Sequence, residues 1–208
     1  MRLQVDPHDP EHWLLSQAVK VLQNDGVLAL PTDTVYGVAC DVRSEAGAER
    51  IYAMKGMDKK KMLSILCSDL GMAATYVTGI PNNWFRILKR ELPGPYTFIL
   101  PASKELPRVM LKQRKTVGIR VPDCPITQEI IRQLGRPLLT TSIRLAEGQW
   151  INDPEEIEAE YRGQLDLVVD GGLLLPEPST VIDLSGRRPE LIRMGKGQGA
   201  FLEDLSEE

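Results

Sequence analysis

Short apolar runs alternate with segments of helical period along the whole chain, and no linker separates them. This order is the tightest constraint on the fold. Mostly apolar runs of four to seven residues suit a buried strand and are too short for a packed helix. Such runs stand at residues 27–30 (VLAL), 35–40 (VYGVAC), 62–67 (MLSILC), 96–101 (YTFILP), 116–122 (TVGIRVP), 137–142 (PLLTTS), 166–170 (DLVVD), 179–184 (STVIDL) and 190–194 (ELIRM). Helical signals fall between them. The first helix is expected to be capped by Asp9, to carry Pro10 in its first turn, to stop at Gly26 and to bury Leu14, Ala18, Val21 and Leu22. Ser44 caps a second that ends at Gly56. Residues 82–92 read as a third, residues 125–135 as a fourth between Pro125 and Gly135, and Asp153 caps a fifth. Several strands follow one another without a helix, so the expected fold is one α/β domain on a mixed sheet.

Composition narrows the function. The chain has 208 residues and a formal net charge of -4, which argues against coating nucleic acid by bulk electrostatics. One local exception is MKGMDKKKML, residues 54–63, with Lys55, Lys59, Lys60 and Lys61. It reads equally as a solvated loop, a phosphate clamp or an RNA-facing patch. Cys40, Cys67 and Cys124 form no C-x-x-C pair, so neither a disulfide framework nor a zinc module is indicated. His8 and His12, both near the start, leave no histidine for a Ser-His-Asp system, and His12 is read on a helix surface. No apolar run approaches a membrane span and no signal peptide opens the chain, so a cytoplasmic protein without membrane contact is expected.

The polar chemistry gathers where apolar runs stop. VLALP meets Thr32, Asp33 and Thr34; TVGI meets Arg120; PLL meets Thr140, Thr141 and Ser142; PEP meets Ser179 and Thr180; ELI meets Arg193. Ligands in α/β sheets bind at strand ends, although each hydroxyl alone is also an ordinary turn residue. Taken together they read as donors, suited to an anion such as phosphate, carboxylate or bicarbonate. GKGQG, residues 195–199, lacks the spacing of a Walker loop.

The segments LPTDTVYGVACDV, IYAMKGMDKKK, LPGPYTFILP, TVGIRVPDCP, LLTTSI, PSTVIDLS and LIRMGKG occur in an order and spacing that resemble the YrdC/YciO family of threonylcarbamoyl-AMP synthase-like proteins. The resemblance implies a YrdC-like domain over residues 9–200, with a twisted mixed sheet, helices around a large concave basic groove, and an acidic tail at 201–208. It implies a reaction of ATP, L-threonine and bicarbonate that gives threonylcarbamoyl-AMP and pyrophosphate for the t6A modification of tRNA. It also implies RNA, double-stranded or tRNA, as a partner. Carried over by position, Thr34, Arg120, Thr140 and Ser179 hold L-threonine, with Arg120 on its carboxylate. Lys55, Lys61, Thr116, Ser142 and Arg193 hold ATP, and Lys55 is the catalytic group. Magnesium is expected with ATP through phosphates and water, with no metal site of the protein's own and no organic cofactor.

The family's K-x-R reads here Lys55-Gly56-Met57, its histidine position is Leu66, its S-x-N reads Ser142-Ile143-Arg144, and its R-P-G reads Arg193-Met194-Gly195. These departures place the chain nearest the YciO branch. Arg144 is expected to reach the nucleotide and replace the guanidinium absent at Met57; the alternative points it to solvent. Two readings stand beside synthesis: a paralogue that binds double-stranded RNA or nucleotide without the reaction, and an enzyme that handles threonylcarbamoylated substrates by another reaction.

Overall fold

The structure is a computed structural model that describes residues 1–56, 63–107, 115–144 and 149–202. Met57, Leu66's upstream neighbours at 57–62 with Lys59, Lys60 and Lys61, and residues 203–208 of the expected tail therefore contain no described position. The expected ATP contact at Lys61, and Lys59 and Lys60 of the candidate RNA-facing patch, lie outside the described residues.

β1 (Arg2–Gln4) precedes α1 (His12–Gln23), β2 (Leu28–Leu30), β3 (Gly37–Asp41), α2 (Glu45–Met54), β4 (Ser64–Leu66), α3 (Leu70–Thr75), α4 (Asn82–Glu91) and β5 (Tyr96–Pro101). β6 (Thr116–Arg120), α5 (Pro125–Leu134), β7 (Leu138–Ser142), α6 (Pro154–Glu160), β8 (Leu167–Asp170), β9 (Thr180–Asp183) and β10 (Glu190–Arg193) follow. Local chemistry fixes many ends. Ser44 Oγ accepts the Gly47 amide at 2.8 Å, and Asp153 Oδ1 accepts that of Glu155 at 2.8 Å, so both expected caps form. Gly135, at φ 72°, stops α5 in the left-handed conformation that suits glycine.

The first helix departs from expectation. It starts after Glu11, beyond Asp9 and Pro10, and Glu11 provides no side-chain cap. Its fully buried face is Leu15, Ala18, Val19 and Leu22, while Leu14 and Val21 pack only at the margin. Asp25, at φ 58°, makes the turn one residue before Gly26. β1 and α3 were not anticipated. β1 pairs parallel with β8 at Leu3↔Val169, which carries the fold ahead of residue 9. At the other end Phe201 and Leu202, counted with the tail, are buried, with Phe201 at 5.7 Å from the Tyr96 ring.

The described strands form one mixed sheet in the order β1-β8-β2-β3-β7-β4-β6-β5-β9-β10. Alternation divides its side chains. One face, with Val38, Cys40, Ile65, Phe98, Ile119 and Ile182, packs on α2, α4 and α6 through Ala48, Ile51, Leu88 and Ile157. The other, with Leu30, Ala39, Leu66, Leu138, Leu167 and Val169, packs on α1 and α5. Two residues before Leu66 in β4, and two and four residues beyond Leu138 in β7, the side chains on this second face change to Ser64 and to Thr140 and Ser142. These line an open cavity. The groove is thus the part of the second face left over by α1 and α5.

His12 lies on the α1 surface with Nδ1 2.7 Å from Glu129 Oε1, and the three cysteines are buried and free. Among the described residues no helix is long and apolar enough to cross a membrane.

Candidate active site

The cavity encloses about 1050 Å³. Its floor is a row of small and polar residues set by strand register: Thr140 opposite Ser64, Ser64 opposite Gly118, and Gly118 opposite Ile99. Gly37 and Gly118 keep the floor low, since a Cβ on Gly118 would stand 2.8 Å from Ser64 Oγ. Thr97 and Val181, opposite each other across β5 and β9, continue it. A bulge between Leu191 and Arg193 brings both Ile192 and Arg193 to the wall.

At one end stands Arg120, buried. Nη2 donates to Asp33 Oδ1 at 2.8 Å and to Thr34 Oγ1 at 2.9 Å. Both Nη2 protons are thereby engaged, so a ligand carboxylate cannot take the Nη1–Nη2 fork without displacing one of them. Burial pushes the Arg120 pKa down and Asp33 pulls it back up. The hydroxyls here point their protons inward. Thr32 Oγ1 donates to the Val35 carbonyl at 2.7 Å, so in its 3.0 Å contact with Thr34 Oγ1 it must accept. Thr34 then gives its proton to Thr32 and a lone pair to Arg120. Thr140 Oγ1 donates to the Val38 carbonyl at 2.9 Å. The expectation that these hydroxyls act as donors is therefore corrected: Thr140 offers the cavity a lone pair because the strand carbonyl already holds its proton.

The other end gathers cations. Lys55 Nζ donates to the Arg144 carbonyl at 2.9 Å and to Tyr161 Oη at 3.3 Å, and Tyr161 donates to the same carbonyl at 2.7 Å. Among the described residues its amine has only neutral partners. Burial, then the Arg144 charge, lowers its pKa to about 8. The Arg144 guanidinium lies 3.5 Å above the Trp150 ring, and burial lowers its pKa. Arg193 donates to the Ser179 carbonyl at 2.7 Å and to Ser179 Oγ at 3.2 Å. Burial, then the charges of Arg144 and Arg120, lowers its pKa too. Arg144 thus faces the cavity rather than solvent.

Of the residues expected from sequence, Lys55, Arg120, Thr140, Ser142, Arg144, Ser179 and Arg193 line this one cavity. Thr34 does not: it sits one layer behind, spent on Arg120. Thr116 shares a strand face with Gly118 and Arg120 by alternation but begins β6 outside the lining. Leu66 is fully buried under α1 and α5, so the family's histidine position supplies no titratable group. Sequence reasoning missed Asp33 as the partner of Arg120, and Ser64, Thr97 and Tyr161 in the lining. The i, i+2 relation of Ser64 to Leu66 and of Thr97 to Ile99 was the available signal. Among the described lining residues Glu160 is the one carboxylate, and no described group of three His, Cys, Asp or Glu could hold a metal.

A family sequence model matches residues 20–195. The chain belongs to the Sua5/YciO/YrdC family. The description attached to that family is telomere recombination. The uncharacterized protein YciO of Escherichia coli K12 is 38% identical over 195 residues, 93% of this chain and 94% of YciO. The crystal structure of E. coli YciO superposes with a TM-score of 0.90 at 37% identity, over 95% of this chain and 97% of that one. The threonylcarbamoyl-AMP synthase of Vibrio vulnificus YJ016 is 29% identical over 184 residues, 87% of this chain and 98% of the synthase. Pyrococcus abyssi Sua5 complexed with L-threonine superposes with a TM-score of 0.92 at 27% identity, over 100% of this chain and 61% of Sua5. By identity the chain stands nearer YciO than these synthases, as its motif departures imply.

Proposed function

We propose that the protein is a threonylcarbamoyl-AMP synthase-type enzyme, with L-threonine at the Arg120 end of the cavity and ATP at the Lys55–Arg144–Arg193 end. One observation carries this reading: a single cavity holds a guanidinium already matched by a carboxylate at one end and, at the other, three cations without a carboxylate partner among the described residues. A zwitterion suits the first and a polyphosphate the second. The threonine carboxylate takes the free part of Arg120, and the Thr140 lone pair takes its ammonium. The likeness to Sua5 complexed with L-threonine supports the first assignment, and the likeness to a threonylcarbamoyl-AMP synthase supports the reaction.

In that reaction the threonine nitrogen bonds to the carbon of bicarbonate, losing a proton and water, to give a carbamate. A carbamate oxygen then attacks the α-phosphorus of ATP as the α–β P–O bond breaks and pyrophosphate leaves. Lys55, Arg144 and Arg193 stabilise the charge that grows on the phosphate oxygens. Magnesium, if it enters, comes with ATP through phosphate oxygens and water. The test is to incubate the protein with ATP, L-threonine and bicarbonate and to follow threonylcarbamoyl-AMP by mass spectrometry and pyrophosphate by a coupled assay. Leu66 favours a second reading, ligand binding without synthesis; both ligands bound in calorimetry with no product formed would decide for it.

A further inference from the structure

Asp33 is held from two sides. Its carboxylate takes Arg120 from behind the cavity, and its backbone carbonyl accepts Lys196 Nζ at 2.6 Å. Lys196 belongs to GKGQG, the segment that the reaction leaves without a role. This segment lies flat on the far wall. The Lys196 amide donates to the Pro178 carbonyl at 2.9 Å, and the Gly195 amide to Thr180 Oγ1 at 2.9 Å. Thr180 Oγ1 donates to the Gly197 carbonyl at 2.7 Å. The glycines permit this, because a Cβ on Gly195 would strike the Pro178 carbonyl and one on Gly197 the Tyr96 ring.

The distance spanned gives the contact its meaning. β7, β4, β6 and β5 separate β3 from β9 in the sheet. Five strand spacings would set them about 24 Å apart in a flat sheet. The bond from the β9–β10 side to the β2–β3 connection therefore closes the concavity across its Arg120 end. Neither Lys196 nor Asp33 lines the cavity. The need for an outside anchor is visible at the ion pair. Asp33 Oδ2 and Arg120 Nε, the atoms that would make a second parallel bond, are both buried without a partner. A carboxylate held through one oxygen is free to swing, whereas a fork fixes it. The bonds of Thr32 and Thr34 are internal to the loop apart from Arg120. Thr127 holds the Pro31 carbonyl and Asn152 the Tyr36 amide at the two ends of the loop, and Lys196 adds a constraint at Asp33 itself.

We propose that Lys196 is a positioning residue: by clasping the Asp33 carbonyl across the groove it holds Asp33, and through it the Arg120 guanidinium, in register for an amino-acid carboxylate. The amino acid as ligand rests on the function proposed above; the closure of the groove does not.

The experiment compares the wild type with Lys196→Met, which keeps the stem and removes the amine, and with Lys196→Arg, which keeps a cationic donor. Calorimetry with L-threonine and with ATP is paired with thermal unfolding and with amide hydrogen exchange over residues 32–36. Loss of one charged donor predicts about a tenfold weaker L-threonine affinity in Lys196→Met, with ATP affinity and unfolding midpoint unchanged and faster exchange at 32–36. Lys196→Arg recovers most of the affinity. Unchanged L-threonine affinity overturns the proposal, and so does an equal loss for both ligands with a lowered midpoint, which marks a merely structural contact. If the wild type takes no L-threonine, the amino-acid reading falls, and exchange alone judges the clasp. Faster exchange in Lys196→Met then upholds closure, and unchanged exchange overturns it.

Discussion

The two ends of the cavity place positive charge in different ways. Arg120 is buried, and an equally buried Asp33 stands against it, with side-chain exposures of 8% and 6%. Arg144 and Arg193 are only partly buried, and neither forms an ion pair among the described residues; after burial, the Arg144 charge lowers the pKa of both Lys55 and Arg193, and Arg120 adds to the effect on Arg193. At the first end the protein has already neutralised its own charge, so recognition depends on geometry. At the second the charge is stored for a ligand, and the repulsion costs the empty protein stability. The general lesson is that a buried guanidinium with an internal partner is a structural element first and a ligand contact second, while clustered cations without partners are the reverse.

The largest effect that separates the ends is in stability. Arg120→Met leaves the Asp33 carboxylate buried and unpaired, and should cost about 3–5 kcal/mol. Adding Asp33→Asn should recover part of that loss, and the coupling is read from a double-mutant cycle in urea. Arg193→Met removes hydrogen bonds to Ser179 but no ion pair, so its cost should be well under half as large. Equal costs at the two positions would erase the distinction.

Next comes ligand selectivity. Arg144→Asn should weaken ATP about tenfold, the worth of one charged hydrogen bond, and leave L-threonine affinity unchanged. It should also raise the Lys55 pKa, because the Arg144 charge is one of its two depressing causes. Adding Met57→Arg, at the family's arginine position, should restore ATP affinity. An Arg144→Asn variant with wild-type ATP affinity would remove Arg144 from the nucleotide end.

The pH response is a smaller effect and has a definite sign. Lys55 titrates at about 8 in the folded protein against 10.5 for an unperturbed lysine. Below about pH 8 it is charged in both states and the fold bears the full burial penalty. Between the two values the unfolded chain holds more protons, so this group's contribution to stability rises with pH across that window. ATP affinity runs the other way, falling several-fold as pH rises from about 7 to 9 because the phosphates lose a cation. Near pH 8 ATP binding should take up a proton, seen as a binding enthalpy that depends on the buffer. Lys55→Met should flatten both responses; an unchanged pH profile would place the titration elsewhere.

The sequence made these two ends legible to different depths. Ser44 at the start of α2, Gly135 after α5 and the apolar strands of the core announce themselves locally, because caps and periodicity act within a few residues. β1 has three residues and is defined only by pairing with β8, more than 160 positions away; α3 has six, too few to show a period. At the cation end, Lys55, Arg144 and Arg193 could be read because a charge at a strand or helix end has few other uses. At the Arg120 end Arg120 itself was legible, but Asp33 was not recognised as its partner. The direction of the Thr34 and Thr140 protons was equally hidden, since it depends on carbonyls that only the fold brings near. Lys196, in its glycine-rich segment, gives no local signal for the same reason: its partner lies on the opposite side of the groove.

The smallest effect tests whether the ends are independent. Gly118 lies between them on the floor, with Ser64 on one side and Thr97 on the other. A Cβ there would stand 2.8 Å from Ser64 Oγ and 3.1 Å from the Thr97 methyl. The Ser64 hydroxyl can turn aside. The Thr97 side chain is tied through its own hydroxyl to Ser179 Oγ at 2.8 Å and has less freedom. Gly118→Ala should therefore cost about 1 kcal/mol, the lower range for overpacking, and Ser64→Ala in the same chain should relieve part of it. Because the methyl lifts the floor and meets no charged group directly, L-threonine and ATP should each weaken by about twofold. A loss confined to one ligand would show that the floor belongs to that ligand's end, and the boundary between the two would then have to move past Gly118.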